Sequence, residues 1–150
     1  MRLIKAGLEF SFRCAIAVAL TSLATTTFAA PNGAAFLCEV KTRGHGGWTP
    51  KQIGFRFVEN DSQVKVLDAF IQKTKNGPLT TTVSVKVNGD HQFRWVLNLP
   101  TTDGTVVSAS YNVEFSLASQ TGKVTTHIAQ FTGGRNGGDM TCAPYRGSAI

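Results

Sequence analysis

The chain lacks the spacings that commit a sequence to a particular chemistry. Its three cysteines include no Cys-x-x-Cys pair. His45, His91 and His127 lie far apart, and none has a metal-ligand spacing. The serines have no nucleophile-elbow context. Asp68, Asp90, Asp103 and Glu114 form no paired-carboxylate pattern. Gly133–Asp139 has the flavour of a calcium-binding glycine repeat, but it occurs once and its spacing is off. These absences point away from a metal centre, a resident cofactor or a catalytic residue. Each histidine is expected at the surface or as a satisfied core residue. Charge is also scarce, with 15 Lys and Arg against 9 Asp and Glu in 150 residues, and it is scattered. A nucleic-acid reader carries a basic stripe interleaved with aromatics, and none is present.

Long apolar runs are equally rare, and the chief one is N-terminal. Arg2, Lys5 and Arg13 make a basic leader, diluted by Glu9, and Cys14 to Leu20 is an apolar core. Thr27-Phe28-Ala29 supplies small residues at the two positions a signal peptidase inspects. The pattern predicts a signal peptide over 1–29 and a single mature domain over 30–150. A spanning helix needs about 20 mostly apolar residues. Here Thr21, Ser22, Thr25, Thr26 and Thr27 interrupt the run before Pro31, so no membrane span is expected after cleavage. The segment before Cys14 lacks a lipoprotein signature, and there is no twin-arginine pair. The expected location is periplasmic or secreted. Asn60-Asp61-Ser62 fits a glycosylation acceptor, relevant only in a eukaryotic secretory pathway. Cleavage removes three basic residues and one acidic one, leaving 12 and 8, a net charge of +4. Contact with an anionic envelope component, or with another protein, stays open.

Cleavage also removes Cys14, leaving Cys38 and Cys142. In an oxidising compartment this pair is expected to form a disulfide. The alternative is two free thiols, catalytic or metal-binding. A bridge would close a loop of about 100 residues, worth up to about 4.7 kcal/mol in the chain-entropy model.

What the mature chain does have is period-two alternation. Phe93, Trp95, Leu97 and Leu99 alternate with Arg94, Val96 and Asn98; Val83, Val85 and Val87 with Ser84 and Lys86; Tyr111, Val113, Phe115 and Leu117 with Asn112, Glu114 and Ser116. Such alternation marks half-buried strands. Turn residues separate them at Asn60-Asp61, Asn76-Gly77-Pro78, Asn88-Gly89, Asp103-Gly104 and Thr121-Gly122. Strands are predicted near 35–42, 51–58, 63–68, 79–87, 91–99, 105–118, 123–131 and 139–143. Residues 68–75 read as a strand continuation or one helical turn. The fold class is all-β: an antiparallel meander of seven or eight strands with one disulfide, closed as an up-and-down barrel or a two-sheet sandwich.

Residues opposite each other on two strands share a face. A three-residue loop at 102–104 puts Gly104 in a left-handed position. It pairs Leu99 with Val107, Leu97 with Ala109, Trp95 with Tyr111 and Phe93 with Val113. An odd loop at 88–90 sets Val85 against Phe93 and Val83 against Trp95. The last hairpin is ambiguous: one register turns His127 and Phe131 inward, the other Val124 and Ile128.

Two glycine-rich stretches flank the cysteines, Arg43 to Trp48 and Gly133 to Asp139. Pairing Cys38 against Cys142 sets Lys41 against Asp139, Arg43 against Gly137 and His45 against Arg135. Both stretches then share one end of the domain. Arg43, His45, Trp48, Arg135 and Asn136 become the expected binding surface, since glycine backbones turn N–H groups toward anions and Arg pairs with carboxylate or phosphate. The plainer alternative is that the glycines only let the chain turn and Trp48 plugs the barrel end.

Cys38-Glu39-Val40-Lys41-Thr42 and Gly46-Gly47-Trp48, with Val66-Leu67-Asp68, the strand Val107 to Tyr111 and Cys142, resemble a family of small exported proteobacterial proteins of unknown function. The resemblance spans most of the mature chain and implies an envelope location but no activity. Small periplasmic lysozyme inhibitors share the size and disulfide, but their inhibitory loop pattern is not found. The functional expectation is a non-enzymatic envelope binding module. The alternatives are a lipocalin-like carrier of a small apolar ligand and, less in keeping with the sequence, a hydrolase.

Overall fold

A computed structural model describes residues 32–44, 47–129, 136–148 and 150. The expected signal peptide lies outside the described residues, as do His45 and Arg135. Eight strands run in chain order around a closed antiparallel barrel: β1 (Ala35–Arg43), β2 (Gln52–Val58), β3 (Gln63–Asp68), β4 (Leu79–Val85), β5 (His91–Pro100), β6 (Val106–Ser116), β7 (Thr121–Ile128) and β8 (Asn136–Pro144). β8 pairs back onto β1, with Cys38 opposite Cys142 and the two bonded as a disulfide. The closure is therefore a barrel rather than a sandwich, and every strand has a partner on both sides.

Alternation places one face of each strand inside. An eight-stranded barrel has an interior just wide enough for side chains to fill. Here Phe36, Phe55, Phe57, Phe93 and Phe115 fill it, with ring centroids 5.0 to 6.4 Å apart, mostly tilted or edge-on. Trp95 stacks on Tyr111 at 5.2 Å and continues the column toward one end. His91 is fully buried at the other end, its ring 4.9 Å from that of Phe57.

The expected β5–β6 register is the observed one, from Leu99–Val107 to Phe93–Val113. The expected β4–β5 register is not. Val83 faces Phe93 and Val85 faces His91, because the loop is 87–89 rather than 88–90. Lys86 and Asp90 close it: the Gly89 N–H donates to the Lys86 carbonyl and the Lys86 N–H to the Asp90 carbonyl. Gly89 has φ +85°. Gly104, third residue of the other loop, has φ +84°, and the same pair of bonds links Thr101 with Gly104 and Thr105. Both hairpins thus place glycine where the left-handed residue falls. In β7, Val124 and Ile128 turn inward and His127 is exposed, which resolves the ambiguous hairpin.

Residues 69–75 are helical, not a strand continuation. Asp68 ends β3 and caps α1 (Ala69–Lys75), its Oδ1 accepting from the N–H groups of Phe70 and Ile71 at 2.7 and 2.8 Å. Asn76, left-handed at φ 54°, ends the helix. Lys73 and Lys75 lie in the last turn, where the helix dipole favours cations. Ile71 is buried, and the helix packs on β3 and β5.

β8 starts at Asn136, earlier than the expected 139, and β7 ends at Ile128, earlier than the expected 131. Gly137 and Gly138 therefore belong to the sheet. A Cβ on Gly138 would lie 2.6 Å from the Lys41 carbonyl oxygen and 2.7 Å from a Val40 methyl group. The glycine is there to let β8 lie close against β1.

Candidate functional site

One end of the barrel carries the β1–β2 connection, α1, the β5–β6 turn and the start of β8. Within the barrel mouth the lining turns from apolar to polar. Tyr111, fully buried, donates its hydroxyl proton to the Trp48 carbonyl at 3.0 Å. Thr49 Oγ1 lies 3.0 Å from Thr126 Oγ1, and both residues are buried. Residues 47–50 are thus folded over the mouth, with Trp48 half-buried against the core.

Asp68 sits at the same mouth, 5 % exposed. Its Oδ1 is used in the helix cap, while its Oδ2 is buried with no hydrogen-bond partner. Burial pushes its carboxyl above the ordinary carboxylate range, against the two cap hydrogen bonds that lower it. Burial also raises the Tyr111 phenol, and the Asp68 charge adds to the rise. Tyr111 therefore stays protonated and serves as a donor.

A groove of about 840 Å³ runs along the outward faces of β1, β2 and β3 and over the rim to the barrel mouth, where Thr49, Asp68 and Asn136 line it. Leu37, Gly54 and Leu67 form one cross-strand row of its floor. Trp48, Phe70 and Gln72 line its upper part, and Tyr145 and Ile150 its lower part. Arg43, Trp48 and Asn136 all line it. The structure thus brings three of the five expected surface residues to one groove; His45 and Arg135 lie outside the described residues.

Part of the charge at the groove is already engaged. Arg43 forms a two-pronged ion pair with Asp139, both side chains being about half exposed or more. That hydrogen bond lowers the Asp139 carboxyl and raises the Arg43 guanidinium. An exposed pair of this kind contributes little to stability. Lys41 and Lys123 oppose Asp139 from its two neighbouring strands. Glu39 accepts from the Gln52 amide at 2.5 Å. Asn136 opposes Thr126, and so lies on the inward-facing register at the mouth rather than on an exposed glycine loop. Among the described residues, no group of three His, Cys, Asp or Glu is placed to hold a metal ion.

The sequence pointed to the loop residues and missed the groove floor. Leu37, Leu67 and Phe70 occupy outward or helical positions, where period-two alternation predicts polarity. An apolar residue at an outward position was the available signal. No protein-family model, curated protein or solved structure matches the chain.

Proposed function

We propose that the protein is an exported, non-enzymatic binding module of the cell envelope, with the groove over β1–β3 and the barrel mouth as its binding surface. The observation that carries this is the contrast between a barrel interior packed with phenylalanine rings and an open, largely apolar groove on its outer wall. A carrier needs a hollow interior to hold its ligand. A surface binder needs an exposed concave patch, and apolar patches of this kind mark interaction sites. The engagement of Arg43 with Asp139, Glu39 with Gln52, and Asp68 with the helix cap supports recognition over proton transfer.

The test is cross-linking in the native envelope followed by mass spectrometry of the isolated adducts. Leu67→Asp and Trp48→Ala are expected to lose the adduct. Thr125→Asp, on the outward face of β7, is expected to keep it. An adduct indifferent to all three changes would remove the groove from consideration. A small apolar molecule extracted equally from every variant would favour the carrier instead.

A further inference from the structure

The lower end of the groove already holds a piece of polypeptide. Gly54 lies between Leu37 and Leu67 in the cross-strand row, so the floor has a notch with a leucine on each side. The Ile150 side chain fills it: a Cβ on Gly54 would lie 3.2 Å from Ile150 Cγ1 and closer still to its Cδ1. Beside the notch on the same face of β2, Arg56 reads backbone. Its guanidinium donates to the carbonyls of Ile150 and Gly147, both at 2.8 Å, and to that of Gly33 at 3.1 Å. The segment leaves β8 with one more ladder bond, Tyr145 N–H to the Ala35 carbonyl at 2.8 Å.

A side-chain notch next to a donor for main-chain carbonyls is the arrangement by which surfaces recognise peptides. Backbone hydrogen bonds give affinity, and the pocket gives selectivity. Resting on the groove as the binding surface, we propose that its ligand is a polypeptide segment that offers two backbone carbonyls to Arg56 and lays an aliphatic side chain over Gly54. The chain's own Gly147 and Ile150, which meet Arg56 and the notch now, are the intramolecular competitor for that place. A longer segment reaches what this one does not: the open groove above the notch, toward Trp48 and Phe70. Glu39 and Lys51 place opposite charges along the groove, so selection rests on shape and backbone rather than on the sign of the ligand's charge.

The test uses the full chain and a fluorescein-labelled, C-terminally amidated peptide of residues 145–150, Tyr-Arg-Gly-Ser-Ala-Ile, read by fluorescence anisotropy. Ile150→Asp puts a charge where the leucine-walled notch wants an aliphatic group and vacates it. This variant is expected to bind the peptide roughly tenfold or more tightly than the wild type, the order gained when a tethered competitor is removed. Adding Gly54→Val fills the notch and is expected to abolish the gain, with near-ultraviolet circular dichroism confirming an intact barrel in both variants. Equal binding by wild type and Ile150→Asp, or undiminished binding after Gly54→Val, overturns the proposal. If Leu67→Asp still loses the envelope adduct while no peptide binds, the groove stands as the binding surface and its peptide ligand falls.

Discussion

Tyr111 lies at the middle of β6 with its ring in the core and its hydroxyl bonded to the Trp48 carbonyl. One residue thus joins the packed interior to the loop beside the groove. Replacing it with Phe keeps the ring stack on Trp95 and removes only that bond. A net loss of about 1 kcal/mol is expected. It should show as a lower urea midpoint together with faster amide exchange in residues 47–49. Unchanged exchange there would separate the loop from the core.

How far the fold was legible depended on which rule governed each segment. The β5–β6 register followed from apolar matching and from Gly104, and it is the one observed. The β4–β5 register differs from the expected one because apolar matching alone accepts either odd loop, 88–90 or 87–89, and the chain takes the one that ends on left-handed Gly89. Parity survived the error: Val83 and Val85 still share a face with Phe93 and His91. For 68–75, no apolar period in the sequence is long enough to choose helix over strand; the Asp68 cap is visible only in the structure. The groove was least legible. Its floor joins Leu37, Gly54 and Leu67 from three strands, and Gly54 becomes a notch only when its neighbours in space are known.

The disulfide links β1 to β8 across the seam that closes the barrel, with a sequence separation of 104. Removing it with Cys38→Ser and Cys142→Ser together frees the unfolded chain without deleting a core ring. The expected cost is roughly 2–5 kcal/mol, measured by urea unfolding against the oxidised protein. A midpoint that did not move would mean that the β1–β8 ladder alone determines closure.

Asp68 has two jobs that different substitutions separate. Its folded-state pKa is raised above 3.8 by burial. Relative to the neutral acid, stability is therefore full below about 3.8 and is lost as pH rises through the folded pKa. Asp68→Asn keeps the helix cap and removes the buried charge, so it is expected to unfold at higher urea than wild type near pH 7. Near pH 3.5 the difference should shrink. Asp68→Ala loses the cap and is expected to cost about 1 kcal/mol near pH 3.5, where the charge is absent from both proteins. If Asn and Ala behave alike, the cap contributes nothing.

His91 gives the opposite slope. It is fully buried, neither ring nitrogen has a hydrogen-bond partner, and its ring packs against Phe57. Burial lowers its pKa below 6.5, while the nearby Asp61 and Asp90 carboxylates pull weakly the other way. The folded state therefore binds fewer protons than the unfolded chain in the window just below 6.5. The stability present above 6.5 is lost as pH falls through the folded pKa. The wild type should lose urea resistance on acidification from about pH 7 to about pH 5.5. His91→Leu, which keeps an apolar side chain against Phe57, should lose less over the same interval. Parallel losses in the two proteins would place the acid sensitivity outside the barrel core, among groups that His91 does not touch.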